Sequence, residues 1–257
     1  MRPDTPTRTL IAIVLTAFVS LSSGPALGAE GDGWIPLFGA DGSSLDAWRK
    51  PAGDWRAAAE VGLDPANPRK LVAAREGRGI IWNGPTGKTL NLVSREKYGD
   101  VDIRLEFLVP KGSNSGIKLQ EVYEVQIFES KGAKPLTASH NGGIYPRAEL
   151  LPKYHHIDKG YPPKVDASKA AGEWQTLEIR WLAPKFDDKG KKVANGKFVK
   201  VVLNGLIVQE DLDLPSPTGN NWRNPEHPSG SIFLQGDHGP VAFRNLLVRP
   251  IPATAKP

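Results

Sequence analysis

Cysteine is absent from all 257 residues. Its absence excludes disulfides, a lipidated cysteine anchor and thiolate metal sites. Internal repeats are absent too, which removes solenoids and propellers. No stretch beyond the N-terminus carries a helical apolar period. Long apolar runs are limited to Leu10–Leu21, which is too short and too poorly flanked to span a membrane. Charge of one sign clusters only at Lys189–Lys192, with no interleaved aromatics, so a nucleic-acid partner is not expected. Methionine occurs once, yet there are seven tryptophans. Indole faces stack on sugars in exported carbohydrate-active proteins, although tryptophan also fills cores.

The Leu10–Leu21 run follows Arg2 and Arg8 and is broken by Ser22, Ser23, Gly24 and Pro25. Ala26 and Gly28 are small residues at signal-peptidase spacing. We therefore expect a signal peptide over residues 1–28, cleaved near Gly28, and a single domain over residues 29–257. Such a protein is periplasmic or secreted, with no membrane attachment after cleavage.

Short β patterns separated by turn residues fill the rest. Val101, Ile103, Leu105, Phe107 and Val109 alternate with Asp102, Arg104 and Glu106, as in a half-buried strand. Trp174–Trp181, Lys197–Leu203, Leu206–Glu210, Ser231–Gln235 and Val241–Val248 read as further strands, with Asn204-Gly205 as a hairpin turn. Trp48 and Trp55 read as core aromatics of a first hairpin. Residues 64–70 read as loop, and 146–172, with four prolines and no period, as a long functional loop. About a dozen strands in one domain predict an all-β fold, a two-sheet antiparallel jelly-roll sandwich.

Residues 113–128 are the most informative stretch. Tyr123, Val125 and Ile127 share one face, and Glu124, Gln126 and Phe128 the other. Glu124 and Gln126 then stand roughly 6.6 Å apart along the strand. A carboxylate beside an amide suits the floor of a sugar site, and equally a polar strand face that meets water.

Several segments, in order, resemble the 3-keto-disaccharide hydrolase family, whose domain is also described as 3-keto-glucoside lyase and 3-keto-glucal hydratase. They are Ile35-Pro-Leu-Phe-Gly-Ala-Asp-Gly42 with Leu45-Asp-Ala-Trp48, Asn114-Ser-Gly116, Tyr123-Glu-Val-Gln-Ile127, Gly142-Gly-Ile-Tyr145, Gly172-Glu-Trp-Gln175, Asn204-Gly205, Leu234-Gln-Gly-Asp-His-Gly239 and Phe243-Arg-Asn245. Two departures are visible: Gly236 is inserted in the Leu-Gln-Asp-His-Gly pattern, and Asp166 replaces an expected asparagine. The resemblance implies a concanavalin A-like lectin/glucanase fold. It also implies net hydrolysis of a 3-keto-glucoside or disaccharide by elimination and then hydration, with a sugar 3-oxidoreductase as functional partner.

Glucanases of that fold carry Glu-x-Asp-x-Glu on one strand, where this chain offers Glu124, Gln126 and Phe128. One carboxylate does not make the pair that double displacement needs. A ketone at C3 removes that need by acidifying the C2 proton. The resemblance then implies Glu124 as base, with His140, Tyr145 and His238 as acids or enolate partners. Arg147 and Arg244 would stabilise the oxyanion, and Gln126, Asn114, Lys118 and Trp174 would bind substrate. Each has a plainer alternative. Arg244 would pair with a carboxylate beneath the sheet, Asn114 would form a turn, His238 would cap one, and Tyr145 and Trp174 would be core. His155 and His156 are adjacent, point apart on an extended chain and read as loop residues. No H-x-x-x-H metal signature occurs. A divalent metal on Glu124, Asp237 and a histidine stays open as a Lewis acid, with no cofactor certain. A non-catalytic carbohydrate-binding module and an ordinary glycan hydrolase are the competing functions.

N-terminal sequencing of exported protein should read from near Ala29. Recovery of membrane-bound chain starting at residue 1 would contradict a cleaved signal.

Overall fold

The computed structural model describes residues 33–50 and 52–252. The expected signal peptide lies outside the described residues. Among these residues no helix forms, and sixteen strands order the chain. Eight make one antiparallel sheet and four another, with two short two-stranded ribbons beside them. The all-β sandwich read from the sequence is thus the observed fold.

The large sheet runs β14 (Leu206–Leu214), β13 (Gly196–Leu203), β10 (Gln175–Leu182), β5 (Val101–Leu108), β16 (Ala242–Pro250), β3 (Asn67–Trp82) and β2 (Arg56–Asp64), with β1 (Ile35–Pro36) also paired to β16. The small sheet runs β4 (Leu92–Tyr98), β15 (Gly230–Leu234), β6 (Asn114–Leu119) and β7 (Tyr123–Phe128). The inner faces meet in one core. Val101, Ile103, Leu105 and Phe107 come from β5; Ile117, Leu119, Tyr123, Val125 and Ile127 come from β6 and β7. The period of two therefore sends alternate residues of both sheets outward.

Trp181 couples the layers. It is fully buried, and its ring centroid lies 4.6 Å from that of Tyr123 on β7 and 4.7 Å from that of Phe198 on β13. Gly196 leaves room for it, since a Cβ there would sit 2.5 Å from the Trp181 ring.

Two local expectations change. Residues 64–70 are the tip of a long hairpin, because Asp64 pairs with Asn67 across a two-residue turn. Pro68 is tolerated in β3 because β16 pairs with β3 only at Ile81 and Trp82, leaving that edge free of ladder bonds at Pro68. Trp48 and Trp55 are core, but they do not make a hairpin. Trp48 bridges instead to Ser94 and donates its indole N–H to the Leu37 carbonyl at 2.9 Å.

Trp181→Ala should lower unfolding stability by about 3–5 kcal/mol, read by chemical denaturation. A loss under about 1 kcal/mol would mean the stack does not couple the sheets.

Candidate active site

The outer face of the small sheet carries two cross-strand rows. Register places Phe233, Lys118 and Glu124 in one row on β15, β6 and β7. The next row holds Gly116 opposite Gln126, and the Gln235 N–H donates to the Gly116 carbonyl at 2.9 Å, extending the row beyond β15. Asn114 lies one step further, and its side-chain oxygen accepts from the Gln126 amide at 2.6 Å.

Glu124 is only 5 % exposed although it points away from the core. Gly116 makes this packing feasible, because a Cβ at that position would lie 2.5 Å from Glu124 Oε1. The carboxylate thus leans over a bare patch of backbone. Its Oε2 is 3.3 Å from Lys118 Nζ, and that ammonium lies 5.1 Å from the Phe233 ring centroid. Burial pushes the Glu124 carboxyl above the usual carboxylate range. Lys118 and His238 oppose this by favouring the ionised form, and Asp237 reinforces it. Desolvation outweighs the neighbouring positive charges, so the carboxyl binds its proton more tightly than an ordinary glutamate does.

Two walls flank the carboxylate. In the turn after β15, His238 Nδ1 and Asp237 Oδ1 are 2.6 Å apart. The other wall starts at Ile144, which pairs with Val125 and with Tyr161 and so extends the small sheet. Tyr145 follows, its N–H donating to the Glu124 carbonyl at 3.3 Å. Its hydroxyl lies 2.8 Å from that of Tyr154 and 3.3 Å from His156 Nε2, which is 3.2 Å from the Tyr154 hydroxyl. Burial, the Tyr154 hydrogen bond and the Glu124 charge push the Tyr145 phenol well above its ordinary range, so it stays protonated.

The structure brings Glu124, Gln126, Asn114, Lys118, Tyr145 and His238 together; Arg147 lines a small pocket with Tyr145, and Trp174 and Arg244 lie across the sandwich. His140 lies near Phe128, with ring centroids 6.3 Å apart, and its Nδ1 accepts the Thr137 N–H at 3.0 Å. Arg147 is held by Asp158 at 2.6 Å and faces the Trp222 ring. Arg244 lies on the outer face of the opposite, large sheet. It binds Glu106 at 2.6 Å there and stacks on Trp174 at 4.2 Å. Across the sandwich from Glu124, that pair braces the sheet. The sequence reading passed over Tyr154 and His156. The short ribbon Ala148–Glu149 with His155–His156 folds the loop back and delivers them to Tyr145. Tyrosine and histidine spaced around four prolines were the available signal.

Among the described residues, no group of three or more acidic or histidine side chains converges to hold a metal ion. Glu124 is engaged by Lys118 and Asp237 by His238, so a divalent cation's donor set is not assembled, and no step below runs through one.

A buried carboxylate, side-chain amides and phenols on one face suit the binding of sugar hydroxyls, and the likenesses to known proteins point to a carbohydrate-active protein. More narrowly, the chain belongs to the family of 3-keto-alpha-glucoside-1,2-lyase-like domains, whose model matches residues 33–249. Two candidate glycosyl hydrolases from Parabacteroides distasonis are similar in structure. One is 25% identical, with 85% of this chain and 84% of that chain covered and a TM-score of 0.58. The other is 21% identical, with 86% and 100% covered and a TM-score of 0.51. No curated protein matches the chain.

Lys118→Met removes the nearest charge favouring ionised Glu124, so the carboxyl should titrate at still higher pH. A carbon-13 NMR titration of that carboxyl checks this; an unchanged or lower midpoint would show that Lys118 does not set it.

Proposed function

We propose that the protein is an exported enzyme that cleaves 3-keto-glycosides by elimination and hydration. The observation that carries this reading is Glu124, a buried carboxylate with raised proton affinity and an ammonium beside it. Ordinary retaining hydrolysis needs a second carboxyl about 5–5.5 Å away acting as nucleophile or acid. Here the other carboxylate within electrostatic reach, Asp237, is exposed and engaged with His238. A carboxyl poised above its ordinary range suits proton abstraction near neutral pH.

In this mechanism ionised Glu124 takes the proton from C2, and the electron pair moves into the C2–C3 enolate. His238, oriented by Asp237, stabilises the developing charge on the C3 oxygen. The enolate then collapses to a C1=C2 double bond, and the C1–O bond breaks. Tyr145, still protonated and backed by Tyr154 and His156, gives its proton to the leaving oxygen. Water adds next, its oxygen to C1 and a proton to C2 from Glu124, while its remaining proton restores Tyr145. The sum is one 3-keto-glycoside plus water giving a 3-keto sugar and an alcohol. Gln126 and Asn114 hold hydroxyls of the ring. A sugar 3-oxidoreductase would have to supply the ketone.

Glu124→Gln preserves shape and removes the basic oxygen, so turnover should fall about 10²–10⁴-fold with a smaller change in affinity. The sign of the pH effect follows from the proton count. Below the raised Glu124 pKa the base is protonated and inactive, so kcat/KM should climb with pH on a limb displaced above the ordinary carboxylate range. That limb should vanish in the variant. Solvent deuterium exchange at C2 is the decisive readout, and wild-type exchange by Glu124→Gln would remove Glu124 from the role of base.

A further inference from the structure

Gln235 flanks Gly116 on the side away from Gln126, and the mechanism leaves it without a role. It is 9 % exposed, and its side-chain oxygen is buried without a hydrogen-bond partner in the protein. Its backbone is firmly held: its N–H donates to the Gly116 carbonyl at 2.9 Å, and its own carbonyl accepts from the Ser115 hydroxyl at 2.7 Å. The neighbouring Gly236 N–H donates to Asn91 Oδ1 at 2.8 Å. Since Ile232 and Leu234 face the core, alternation turns Phe233 and Gln235 to the outer face. Gln235 therefore shares a row with Gly116, the residue over which Glu124 leans.

A buried carbonyl oxygen without a donor is costly, and native structures seldom retain one. Here the strands on either side could have satisfied it, yet the position opposite it is a glycine with no side chain to offer. The neighbouring amide, that of Gln126, is turned toward Asn114 on the far side of Gly116. With Gly116 opposite, a ligand laid over the glycine is placed to supply that donor.

We propose that Gln235 is a substrate-positioning residue that accepts a hydrogen bond from a sugar-ring hydroxyl on the far side of Gly116 from Gln126. The inference rests on the glycoside reading of the site, and it makes two amides bracket the ring while Glu124 lies between them. It also sets specificity. A site built to bind a hydroxyl discriminates against the analogue lacking it, because the buried acceptor is then left unpaired.

The experiment compares wild type with Gln235→Leu, using methyl 3-keto-α-glucoside, its unoxidised parent and the monodeoxy derivatives of each. Affinity is measured by calorimetry, turnover by glycal absorbance and stability by thermal melting. Removing an unpartnered buried amide should raise the melting temperature of the empty protein by about 2–4 °C. Affinity for both parent sugars should fall about 3–10-fold, with KM rising and kcat nearly unchanged. One monodeoxy sugar should bind wild type as weakly as the parent binds the variant, and lose nothing further in the variant. A lower melting temperature, equal affinity of both proteins, or no deoxy sugar showing this coupling would overturn the assignment, as would absence of sugar binding to wild type. Failure of the elimination chemistry reads differently: wild type would form no glycal, while the loss of parent-sugar affinity in Gln235→Leu persisted.

Discussion

Everything at the site depends on a carboxylate that is kept almost dry on the outside of a β-sheet. Such a group is normally solvated on that face or removed from it. Here β7 supplies both the constraint and the solution. Its odd residues, Tyr123, Val125 and Ile127, are locked in the core, so its even residues cannot rotate away. Glu124 must project outward at a fixed height, and β6 answers with Lys118 beside it and Gly116 beneath it. A one-residue slip of either strand would put Glu124 among the core aliphatics. The inner packing thus sets the position of the carboxylate more rigidly than a loop could.

The two outer faces of the sandwich serve different ends. On the large sheet, charges are neutralised locally. Asp102 is held by Arg180 and Arg249; burial pushes its carboxyl up, but the two guanidiniums outweigh that and leave it below the usual range. Glu106 is likewise taken by Arg244 and Asn245. On the small sheet the balance runs the other way, since one ammonium offsets only part of the desolvation of Glu124. Pairing with two guanidiniums lowers the proton affinity of Asp102, and burial with one ammonium beside it raises that of Glu124. The two faces thus differ in how completely their carboxylates are paired, even though both use the same residue types on the same kind of strand.

Much of this was legible from the alternation in residues 113–128, because a period of two assigns faces without any knowledge of the partner sheet. It placed Glu124 with Gln126, and the hairpin register then added Asn114 and Lys118. What failed to show was anything set by long-range contact. Arg147 looked like a free cation, and only the folded chain reveals Asp158 beside it; a carboxylate partner for Arg244 was foreseeable, but not that it is Glu106. Trp174 looked like a sugar platform, yet Arg244 covers it. The adjacent pair His155–His156 was judged as a chelate and set aside. In the fold they form a ribbon strand, and that geometry turns one of them, His156, toward Tyr145. The sixteen-residue β3 was hidden by its proline for a similar reason, since a sequence does not say which strand edges lie unpaired.

The polar residues that the fold leaves unsatisfied carry a further implication. Lys118 offsets only part of Glu124's desolvation, and Gln235 has a buried oxygen with no donor. Both burdens fall on the same few square ångströms around Gly116. Core packing on the opposite faces of the same strands fixes where their backbones stand, so the strands hold both groups beside Gly116 in the empty site. A ligand that brings hydroxyl donors relieves the amide. A ligand that brings an acidic C–H beside the carboxylate turns the raised proton affinity into reactivity. A sugar carrying a ketone at C3 brings both, which ties the stability cost of the empty floor to the chemistry proposed for the filled one.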